Sequence, residues 1–473
     1  MSSVAVPAII RQTRAPIETL CVEILTEIFR LCVYGDYCRY FDVFNYLNGP
    51  WVFGQVSSSW RYVANNTPSL WTRFTTSHGF RHVAIRDPAS MISAVLQRSA
   101  NLRLSLELFP CEEYSPEVVE QIFRAAISHS RRWERLELHL GHTILPIISQ
   151  IQHASLDNLS YIKIYASELV EGDHIDVFQW APALQTVDVD GNFERAQFEF
   201  PWENLVTYFD HMTAGSAVAI HKLLDVIQRC TAVETLYVPY QCTDGIHPLT
   251  TPIRRPSLRY LTACEPAVLR SVILPRLKGM CLSPEKDSDM DCPDDALPAL
   301  LSLMQLSKCI LTSLTLNHAS FTDVLFDILD LTPTIKSLHL SVQYWRSHYN
   351  PIFKSLIDRL AACSNDSSPT FDFLPLIRDF KIDIHDSRME ERPCRFIDHS
   401  FFDMVSLRWK SKTLKAVRLI ISEPGEGLSW SLTSEHIDLL RESKNDGLDI
   451  NVAVERYSPT VYGYDDVTVE RFV

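Results

Sequence analysis

Two pairs of histidines are the first residues in this 473-residue sequence whose spacing could support metal chemistry. His139 and His142 are three residues apart, and His78 and His82 are four apart, spacings that also occur among zinc ligands. Gly141 separates the first pair at the end of a predicted strand, and neither pattern supplies a third ligand. We therefore expect exposed histidines and no metal site at either position.

Clustered carboxylates are the second candidate for chemistry. Asp287, Asp289 and Asp291 have the alternate spacing with which a calcium-binding loop begins, but the glycine and glutamate that an EF-hand requires further on are missing. Asp188 and Asp190 face one way on a predicted strand, yet no cleft is recognisable around this pair of carboxylates. We expect a solvated acidic loop at the first cluster and no hydrolytic site at the second.

Motifs of nucleotide-binding and hydrolytic enzymes are absent from the sequence. None of the patterns G-x-x-x-x-G-K-[ST], G-x-G-x-x-G, G-x-S-x-G and H-E-x-x-H occurs, and only 14 glycines are available for phosphate-binding loops. The 12 cysteines form no C-x-x-C pair and many lie in apolar segments, which favours reduced, buried thiols. The sequence thus predicts a protein that is not an enzyme and holds no metal or cofactor.

The composition is that of a folded protein that repels anionic partners. Apolar residues make up 46% and charged residues 22%, near ordinary globular usage. The 44 Lys and Arg against 58 Asp and Glu give a formal charge of -14, and no basic cluster is apparent along the sequence. No apolar run approaches the roughly 18 residues of a membrane-spanning helix, and residues 4–10 are too short for a secretion signal. We expect an intracellular protein, cytoplasmic and/or nuclear, that binds neither nucleic acid nor membrane.

A repeated strand pattern organises the chain from about residue 99 onward. In each copy an apolar residue is followed by two other residues, a second apolar residue, one other residue and a third apolar residue, and the last two have the period of a strand with one buried face. The clear copies begin at Trp133, Leu159, Leu184, Val233, Leu277, Leu311, Ile335, Ile377 and Leu414. Weaker copies begin at Leu205 and Leu258, and alternating leucines at 102–108 predict an initial strand.

Segments with helical spacing lie between these strands, at residues 118–127, 223–227, 324–329 and 352–360. A strand and a helix repeated every 19 to 42 residues cannot bury their apolar faces alone, so successive units are expected to stack with parallel strands. The pattern resembles leucine-rich repeats in irregular form. This resemblance implies an α/β solenoid, or horseshoe, and the alternative is an ordinary mixed α/β fold whose strands match the pattern by chance.

The N-terminal segment predicts two amphipathic helices. Residues 16–33 alternate apolar side chains with glutamates in the spacing of a helix with one apolar face. A second helix is expected at residues 51–64, after a link that contains Gly49 and before a Thr-Pro pair. So small a unit needs either the repeats or a partner to cover its apolar surface.

These residues resemble the F-box, in the F-box-like form common in mushroom-forming fungi. The signature of the first helix is matched by Leu-Cys-Val-Glu-Ile-Leu-Thr-Glu-Ile-Phe at residues 20–29, where Cys21 and Val22 replace the usual pair of prolines. A later signature is matched by Val-Ser-Ser-Ser-Trp-Arg-Tyr-Val-Ala-Asn-Asn-Thr-Pro-Ser-Leu-Trp at residues 56–71. Residues 96–104 resemble the segment that leads such fungal proteins into their repeats.

The resemblance implies a substrate-recognition subunit of an SCF-type cullin-RING ubiquitin ligase. Its head would bind a Skp-type adaptor, and through it a cullin scaffold, by placing apolar helix faces in a groove. The implied adaptor-binding residues are Leu20, Val22, Ile24, Leu25, Ile28, Val56, Trp60 and Trp71. The repeats would hold a protein target, and the chain would perform no bond chemistry itself.

In leucine-rich repeats, the residues beside the buried strand positions project from the concave surface. The corresponding residues, expected to contact the target, are Glu137, His139, Lys163, Tyr165, Asp188, Asp190, Tyr237, Thr315, Asn317, His339, Ser341, Lys381 and Asp383. Their mixed charge favours a protein or peptide target over nucleic acid.

Five segments follow from these patterns. A flexible N-terminus is expected at residues 1–14, an F-box-like helical domain at 15–75, a linker or cap at 76–98, the solenoid at 99–455 and a C-terminal tail at 456–473. The alternative function is a non-catalytic interaction scaffold or inhibitor whose helical head only caps the solenoid.

Overall fold

The computed structural model describes residues 17, 20–35, 39–77, 85, 87–110, 114–152, 155–166, 169, 173–191, 197–211, 217–239, 241–242, 247–284, 290–364, 370–385, 394–424, 433–460 and 463–471. Strands and helices alternate along these residues, which confirms the prediction of a mixed α/β chain. The chain divides into two compact units. Unit 1 comprises Met1–Leu169, His174–Leu184 and Phe198–Phe200, and unit 2 comprises Val170–Asp173, Gln185–Gln197 and Pro201–Val473.

The strands of the described residues are β1 (Phe41–Asp42), β2 (Arg73–Thr75), β3 (Leu104–Leu108), β4 (Trp133–Leu140), β5 (Tyr161–Ala166), β6 (His174–Ile175), β7 (Thr186–Gly191), β8 (Gln197–Phe198), β9 (Thr207–His211), β10 (Thr235–Val238), β11 (Ile253–Arg254), β12 (Tyr260–Ala263), β13 (Val272–Ile273), β14 (Gly279–Leu282), β15 (Ser313–Asn317), β16 (Ser337–Val342), β17 (Asp379–His385), β18 (Ala416–Pro424), β19 (Asp449–Thr460) and β20 (Gly463–Arg471).

The α-helices are α1 (Val22–Tyr34), α2 (Pro50–Val56), α3 (Ser58–Asn65), α4 (Pro88–Arg98), α5 (Pro116–Ile127), α6 (Leu145–Ile148), α7 (Ala217–Arg229), α8 (Pro266–Arg270), α9 (Ala296–Ser307), α10 (Val324–Asp330), α11 (Tyr349–Ala361), α12 (His399–Lys410) and α13 (Ser434–Asn445). Within the described ranges, none of these helices is both long and apolar enough to cross a membrane.

Each unit contains a parallel sheet. In unit 1, β1 to β5 pair in chain order, all parallel. In unit 2, β7, β9, β10, β12, β14, β15, β16, β17, β18 and β19 pair in that order, again all parallel, and β20 is antiparallel to β19. Parallel neighbours need a crossover between them, and the intervening helices and loops supply it.

The repeated pattern found in the sequence marks a strand at every copy, strong or weak. The register places equivalent positions beside one another, so that Leu314 pairs with Leu338, which pairs with Phe380. These apolar side chains are buried, and the residues between them on the same strands are partly exposed. The four predicted helical segments lie within α5, α7, α10 and α11. Period 2 with one buried face therefore predicted these strands correctly.

The N-terminal helices differ from the prediction in their bounds. The first begins at Val22, six residues later than expected, because Cys21 is extended (φ −70°, ψ 159°) and its side chain makes no capping hydrogen bond. The second is divided into α2 and α3 at Ser57, which is also extended (φ −156°, ψ 166°). The Ser57 hydroxyl accepts a hydrogen bond from the Trp60 amide at 3.2 Å and so starts α3 as a new helix.

Strands and a helix also lie where the predicted segments did not include them. Residues 41–42 and 73–75, expected in a purely helical head, form β1 and β2 and pair within the sheet of unit 1. The expected linker or cap at 76–98 contains α4, whose N-terminus is capped by the Asp87 carboxylate, which accepts a hydrogen bond from the Ser90 amide at 3.0 Å. The boundary at residue 455 falls inside β19, which continues into the expected tail and pairs with β20.

A buried arginine joins two helices of unit 2. Arg408, on α12, is fully buried and donates hydrogen bonds to the carbonyls of Leu360 at 2.8 Å, Leu374 at 2.8 Å and Phe373 at 2.7 Å. Its guanidinium lies 4.0 Å from the centre of the Phe371 ring. Leu374 has a φ of 45°, so Arg408 holds a carbonyl of a residue in the left-handed region.

Candidate protein interaction surfaces

Helix α1 carries two apolar stripes. Leu25, Phe29 and Val33 recur every four residues and are buried in unit 1. Ile24 and Leu31 belong to a second stripe with Ile28 between them, and they are 51% and 57% exposed. A helix packed on one side normally shows solvent a polar face, so the second apolar stripe has the character of a surface for another chain.

Aromatic stacking joins the three N-terminal helices beneath that surface. The Phe29 ring stacks on the Phe53 ring with centroids 3.8 Å apart, and the Trp60 ring lies 5.0 Å from Phe29 and 6.2 Å from Phe53. Trp60 is half-buried as a result. On α2 and α3, Val56 and Tyr62 remain exposed at 56% and 68%.

Two predicted adaptor contacts are corrected by the structure because both are buried within the chain. Leu25 belongs to the inner stripe of α1. Trp71 is 1% exposed, donates its indole N–H to the Ala64 carbonyl at 2.8 Å and meets the Trp51 ring edge-on at 4.9 Å. The Arg98 guanidinium covers the Trp71 ring at 4.6 Å. The later signature of the N-terminal segment therefore ends in a core residue.

The other predicted adaptor residues lie at the surface to different degrees. Ile28 and Trp60 are half-buried. Leu20, Val22, Ile24 and Val56 are exposed.

In unit 1, a row of polar side chains crosses the partly exposed face of the sheet. Parallel register places Thr75, Glu107, Glu137 and Lys163 side by side on β2 to β5. Glu137 is buried and accepts a hydrogen bond from the Tyr40 hydroxyl at 2.9 Å. Burial, and then the charge of Glu137, raise the pKa of Glu107. The Glu137 carboxylate is thus hydrogen-bonded to Tyr40, a residue of the link between α1 and α2, and the sequence did not predict this contact.

The next row on that face is aromatic. The His139 ring stacks on the Tyr165 ring with centroids 4.2 Å apart and 17° between the planes, and the ring of Phe109, the residue that follows β3, lies 4.1 Å from His139 on the other side. The Lys163 ammonium lies 4.6 Å from the centre of the Tyr165 ring. Burial, with a smaller effect from Lys163, lowers the pKa of His139 to about 4, so its ring is neutral at neutral pH. This row presents half-buried rings rather than a titrating base.

In unit 2, His211, which the sequence did not single out, lies beside two of the predicted target residues, Asp188 and Tyr237. Asp188 and Asp190 point to the same partly exposed face of β7. His211 Nε2 lies 3.5 Å from Asp188 Oδ1, and its ring is 4.7 Å from the Tyr237 ring. Phe209 adds a further ring 5.9 Å from Tyr237. The geometry is a polar-aromatic face in which the two carboxylates lie beside aromatic and imidazole rings.

Further along the same sheet, a carboxylate is held by two partners. Asp383 is buried, with Oδ2 2.8 Å from His339 Nε2 and Oδ1 3.1 Å from Arg418 Nε. Burial favours a higher pKa for Asp383, but the hydrogen bonds and charges of His339 and Arg418 outweigh burial and lower it. Asp383 therefore stays ionised and neutralises part of the charge of its neighbours.

The remaining predicted target residues lie on this same face. Lys381 pairs in register with His339 on one side and Arg418 on the other. Asn317 donates its side-chain amide to the Ser283 hydroxyl at 3.2 Å. Register places Thr315 beside His339 and Asn317 beside Ser341 on β15 and β16. The face is of mixed charge, as the sequence predicted.

The candidates for chemistry come together nowhere in the described part of the chain. Among those residues, no group of three or more His, Cys, Asp or Glu is placed to hold a metal ion. His142 is exposed. His78, His82, Asp287 and Asp289 lie outside the described residues.

Unit 2 also carries a row of exposed cations that the sequence did not indicate. It consists of the residues that immediately precede β12, β14, β16, β17 and β18, namely Arg259, Lys278, Lys336, Arg378 and Lys415, with Thr312 before β15 completing the row. We call this row the basic ladder. Its successive members are at least 19 residues apart in sequence, so no basic run is visible there. The signal that could have found it is the second position of the strand pattern, which is basic in five of the last six copies.

Comparison of the sequence with protein-family models and with curated proteins gives no match.

Proposed function

We propose that this chain is a substrate-recognition subunit of an SCF-type ubiquitin ligase, in which an F-box-like N-terminal segment binds a Skp-type adaptor and an irregular leucine-rich-repeat body binds a protein target. The observation that carries the proposal is the second apolar stripe of α1, with Ile24 and Leu31 more than half exposed. A folded chain gains stability by covering such residues, so their exposure favours a partner that covers them.

The distribution of exposed apolar residues along the chain also favours an interface in the N-terminal segment. Among the described residues, eighteen large apolar side chains are exposed, and nine of them lie between Ile17 and Tyr62, about a tenth of the chain. Scattered apolar residues on a surface are ordinary, but this concentration is typical of an interface. An adaptor groove that receives apolar helix faces is the partner that the F-box-like resemblance implies.

The buried residues of the matched signatures fit this proposal in a different way. Phe29 and Trp60 pack on each other, and Trp71 closes the core beneath α3. These residues would hold the three helices in place, while Leu20, Val22, Ile24 and Val56 would contact the adaptor. The revised surface is therefore smaller than the sequence implied and lacks both of the predicted tryptophan contacts.

In this function the chain performs no bond chemistry. It would hold a target near the ubiquitin-loaded enzyme and so raise the local concentration of a target lysine. The faces formed by His139 with Tyr165 in unit 1 and by His339 with Asp383 in unit 2 offer rings and charges of both signs for that target. Mixed faces of this kind suit a protein surface.

Binding of the purified full chain to a purified Skp-type adaptor, measured by isothermal titration calorimetry, tests the proposal. We expect a complex with the wild-type chain and about 30-fold weaker binding by the Ile24→Ser/Leu31→Ser variant, since each half-exposed side chain contributes about 1 kcal/mol when covered. Val218→Ser/Leu306→Ser removes two other exposed apolar side chains and should bind as the wild type does. Absence of a wild-type complex, or equal weakening by both variants, would contradict the proposal.

A second function is favoured by the pairing of β1 and β2 with β3, which places the N-terminal segment on the sheet of unit 1. The Tyr40 to Glu137 hydrogen bond ties the link to the same sheet. A scaffold or inhibitor whose N-terminal segment only caps its own sheet would have these contacts. That function predicts no adaptor complex, and the same calorimetric experiment separates the two.

A further inference from the structure

The basic ladder is a continuous row because backbone hydrogen bonds join its members from strand to strand. The Lys278 amide donates to the Arg259 carbonyl at 2.8 Å, the Thr312 amide to Lys278 at 2.7 Å, and the Lys336 amide to Thr312 at 2.8 Å. Two further bonds of 2.7 Å continue the row through Arg378 to Lys415. Neighbouring strands lie about 4.8 Å apart, so the row spans roughly 24 Å.

The cations of the ladder are exposed and for the most part unneutralised. Arg259 is ion-paired, with its Nη2 3.5 Å from Glu234 Oε1. Over the described ranges, Lys278, Lys336, Arg378 and Lys415 form no ion pair. Four neighbouring unpaired cations repel one another, and an anionic ligand would relieve that repulsion.

The row of side chains next to the ladder leaves room for a ligand. Register places Gly279, Ser313, Ser337, Asp379 and Ala416 side by side on β14 to β18. Four of these five are small, so the ladder borders a shallow strip of sheet. Tyr260, half exposed, stands at one end of that strip, and its ring occupies the space that a side chain at position 279 would need, since a Cβ there would lie 2.8 Å from Tyr260 Cδ1.

Acidic residues limit the ladder at both ends. Glu234 precedes β10, the neighbour of β12, and Asp449 begins β19, the neighbour of β18. The whole chain carries a formal charge of -14. A long polyanion that extended past the ladder would therefore meet repulsion on both sides, whereas a short one would fit between the two acids.

We propose that the basic ladder binds an acidic segment of a partner protein. An extended chain advances about 3.3 Å per residue, so about eight residues match the length of the ladder. A short acidic peptide matches the roughly 24 Å length of the ladder, beyond which Glu234 and Asp449 lie, better than a nucleic acid does. Binding of the acidic segment stands by itself, and only its use as the recognition element of a ubiquitination target rests on the proposed function.

Fluorescence anisotropy of a labelled octaglutamate peptide with the full chain tests the proposal. We expect saturable binding that weakens as salt rises, and at least tenfold weaker binding by Lys336→Glu/Arg378→Glu. Lys222→Glu/Arg395→Glu makes the same charge change at exposed positions outside the ladder and should bind within twofold of the wild type. An octaglutamine peptide of the same length should not bind.

Three outcomes would overturn the proposal: no binding of octaglutamate, equal weakening by the ladder and control variants, or tighter binding of a single-stranded dodecathymidylate than of the peptide. If the charge reversals lower the melting temperature, Lys336→Gln/Arg378→Gln removes the charges without adding acids, and it should still weaken binding. The Ile24→Ser/Leu31→Ser variant should bind octaglutamate as the wild type does. Failure of the adaptor experiment and failure of this one are thus distinguishable.

Discussion

Arg408 allows a direct test of how unit 2 is held together. Its buried guanidinium donates to the carbonyls of Leu360, Phe373 and Leu374, and burial lowers its pKa to about 10. In Arg408→Met, an aliphatic side chain still fills the core, but three carbonyls lose the guanidinium donor. Helices α11 and α12 and the loop before β17 are then no longer joined at this point.

Two opposing effects set the size of the change. Hydrogen bonds from a charged donor contribute roughly 1.5–3 kcal/mol each, or about 4.5–9 kcal/mol for three. The fall in pKa from 12.5 to about 10 shows that the charge is disfavoured in the fold, so its removal returns about 3 kcal/mol. The hydrogen bonds outweigh the burial of the charge, and we expect a net loss of about 3 kcal/mol in the free energy of unfolding of unit 2.

Differential scanning calorimetry of the full chain measures this loss. At about 2 °C per kcal/mol, the transition of unit 2 should fall by about 6 °C in Arg408→Met. The exposed Arg395→Met is the matched control and should leave the transition within about 1 °C. Hydrogen exchange should also accelerate around Leu374, whose carbonyl loses the guanidinium and keeps only the Ile377 amide as a donor. A fall below about 1 °C with unchanged exchange there would refute the reasoning.

Two further predictions concern unit 1. Because the folded pKa of His139 is lowered from 6.5 to about 4, its neutral ring stabilises the fold fully above about pH 6.5, and this contribution is lost as the pH falls towards 4. His139→Phe keeps a ring against Tyr165 that cannot be protonated. Between pH 7 and 4 its free energy of unfolding, measured by urea denaturation, should therefore fall by about 2 kcal/mol less than that of the wild type, after allowance for the partial exposure of His139. Equal falls in the two proteins would contradict this. Gly49 has a φ of 61°, and a Cβ there would lie 2.8 Å from Phe41 Cβ, so Gly49→Ala should cost about 1–3 kcal/mol. A thermal scan in which Gly49→Ala melts with the wild type would show that the backbone relaxes freely.

The sheets were the part of the fold that the sequence could predict. Each strand of the pattern buries alternate apolar residues, as Leu314 and Leu316 do on β15, and period 2 is a local property visible in any single copy. The break at Ser57 was not predicted because the apolar spacing of residues 51–64 continues across it. Only the conformation of Ser57, whose hydroxyl caps the next helix, shows that two helices are present.

The surfaces were harder to predict, because apolar residues look alike whether they face the core or a partner. Leu25 and Ile24 are adjacent in the sequence, yet one is buried and the other half exposed. Trp71 has the size of a typical anchor residue but closes the core with its indole N–H on Ala64. Which side of a helix faces inward depends on the elements packed against it, and the sequence did not give their positions.

Arg408 and the basic ladder were missed for related reasons. Arginine is rarely fully buried, so nothing in the composition of α12 indicated that Arg408 would reach three carbonyls of the preceding segment. Lys336 and Arg378 are 42 residues apart in sequence and become neighbours only through strand register. Contacts of this kind require the three-dimensional pairing, whereas strand and helix spacing do not.

The described end of the link between α1 and the sheet of unit 1, residues 39–42, is anchored to that sheet. β1 pairs with β2, Tyr40 hydrogen-bonds to Glu137 on β4, and α1 itself packs on α2 through the Phe29 and Phe53 rings. A partner bound at Ile24 would then stand at a set distance from anything that rests on His139 and Tyr165. In a ligase, such a rigid arm would leave the choice among target lysines to the shape of the target itself.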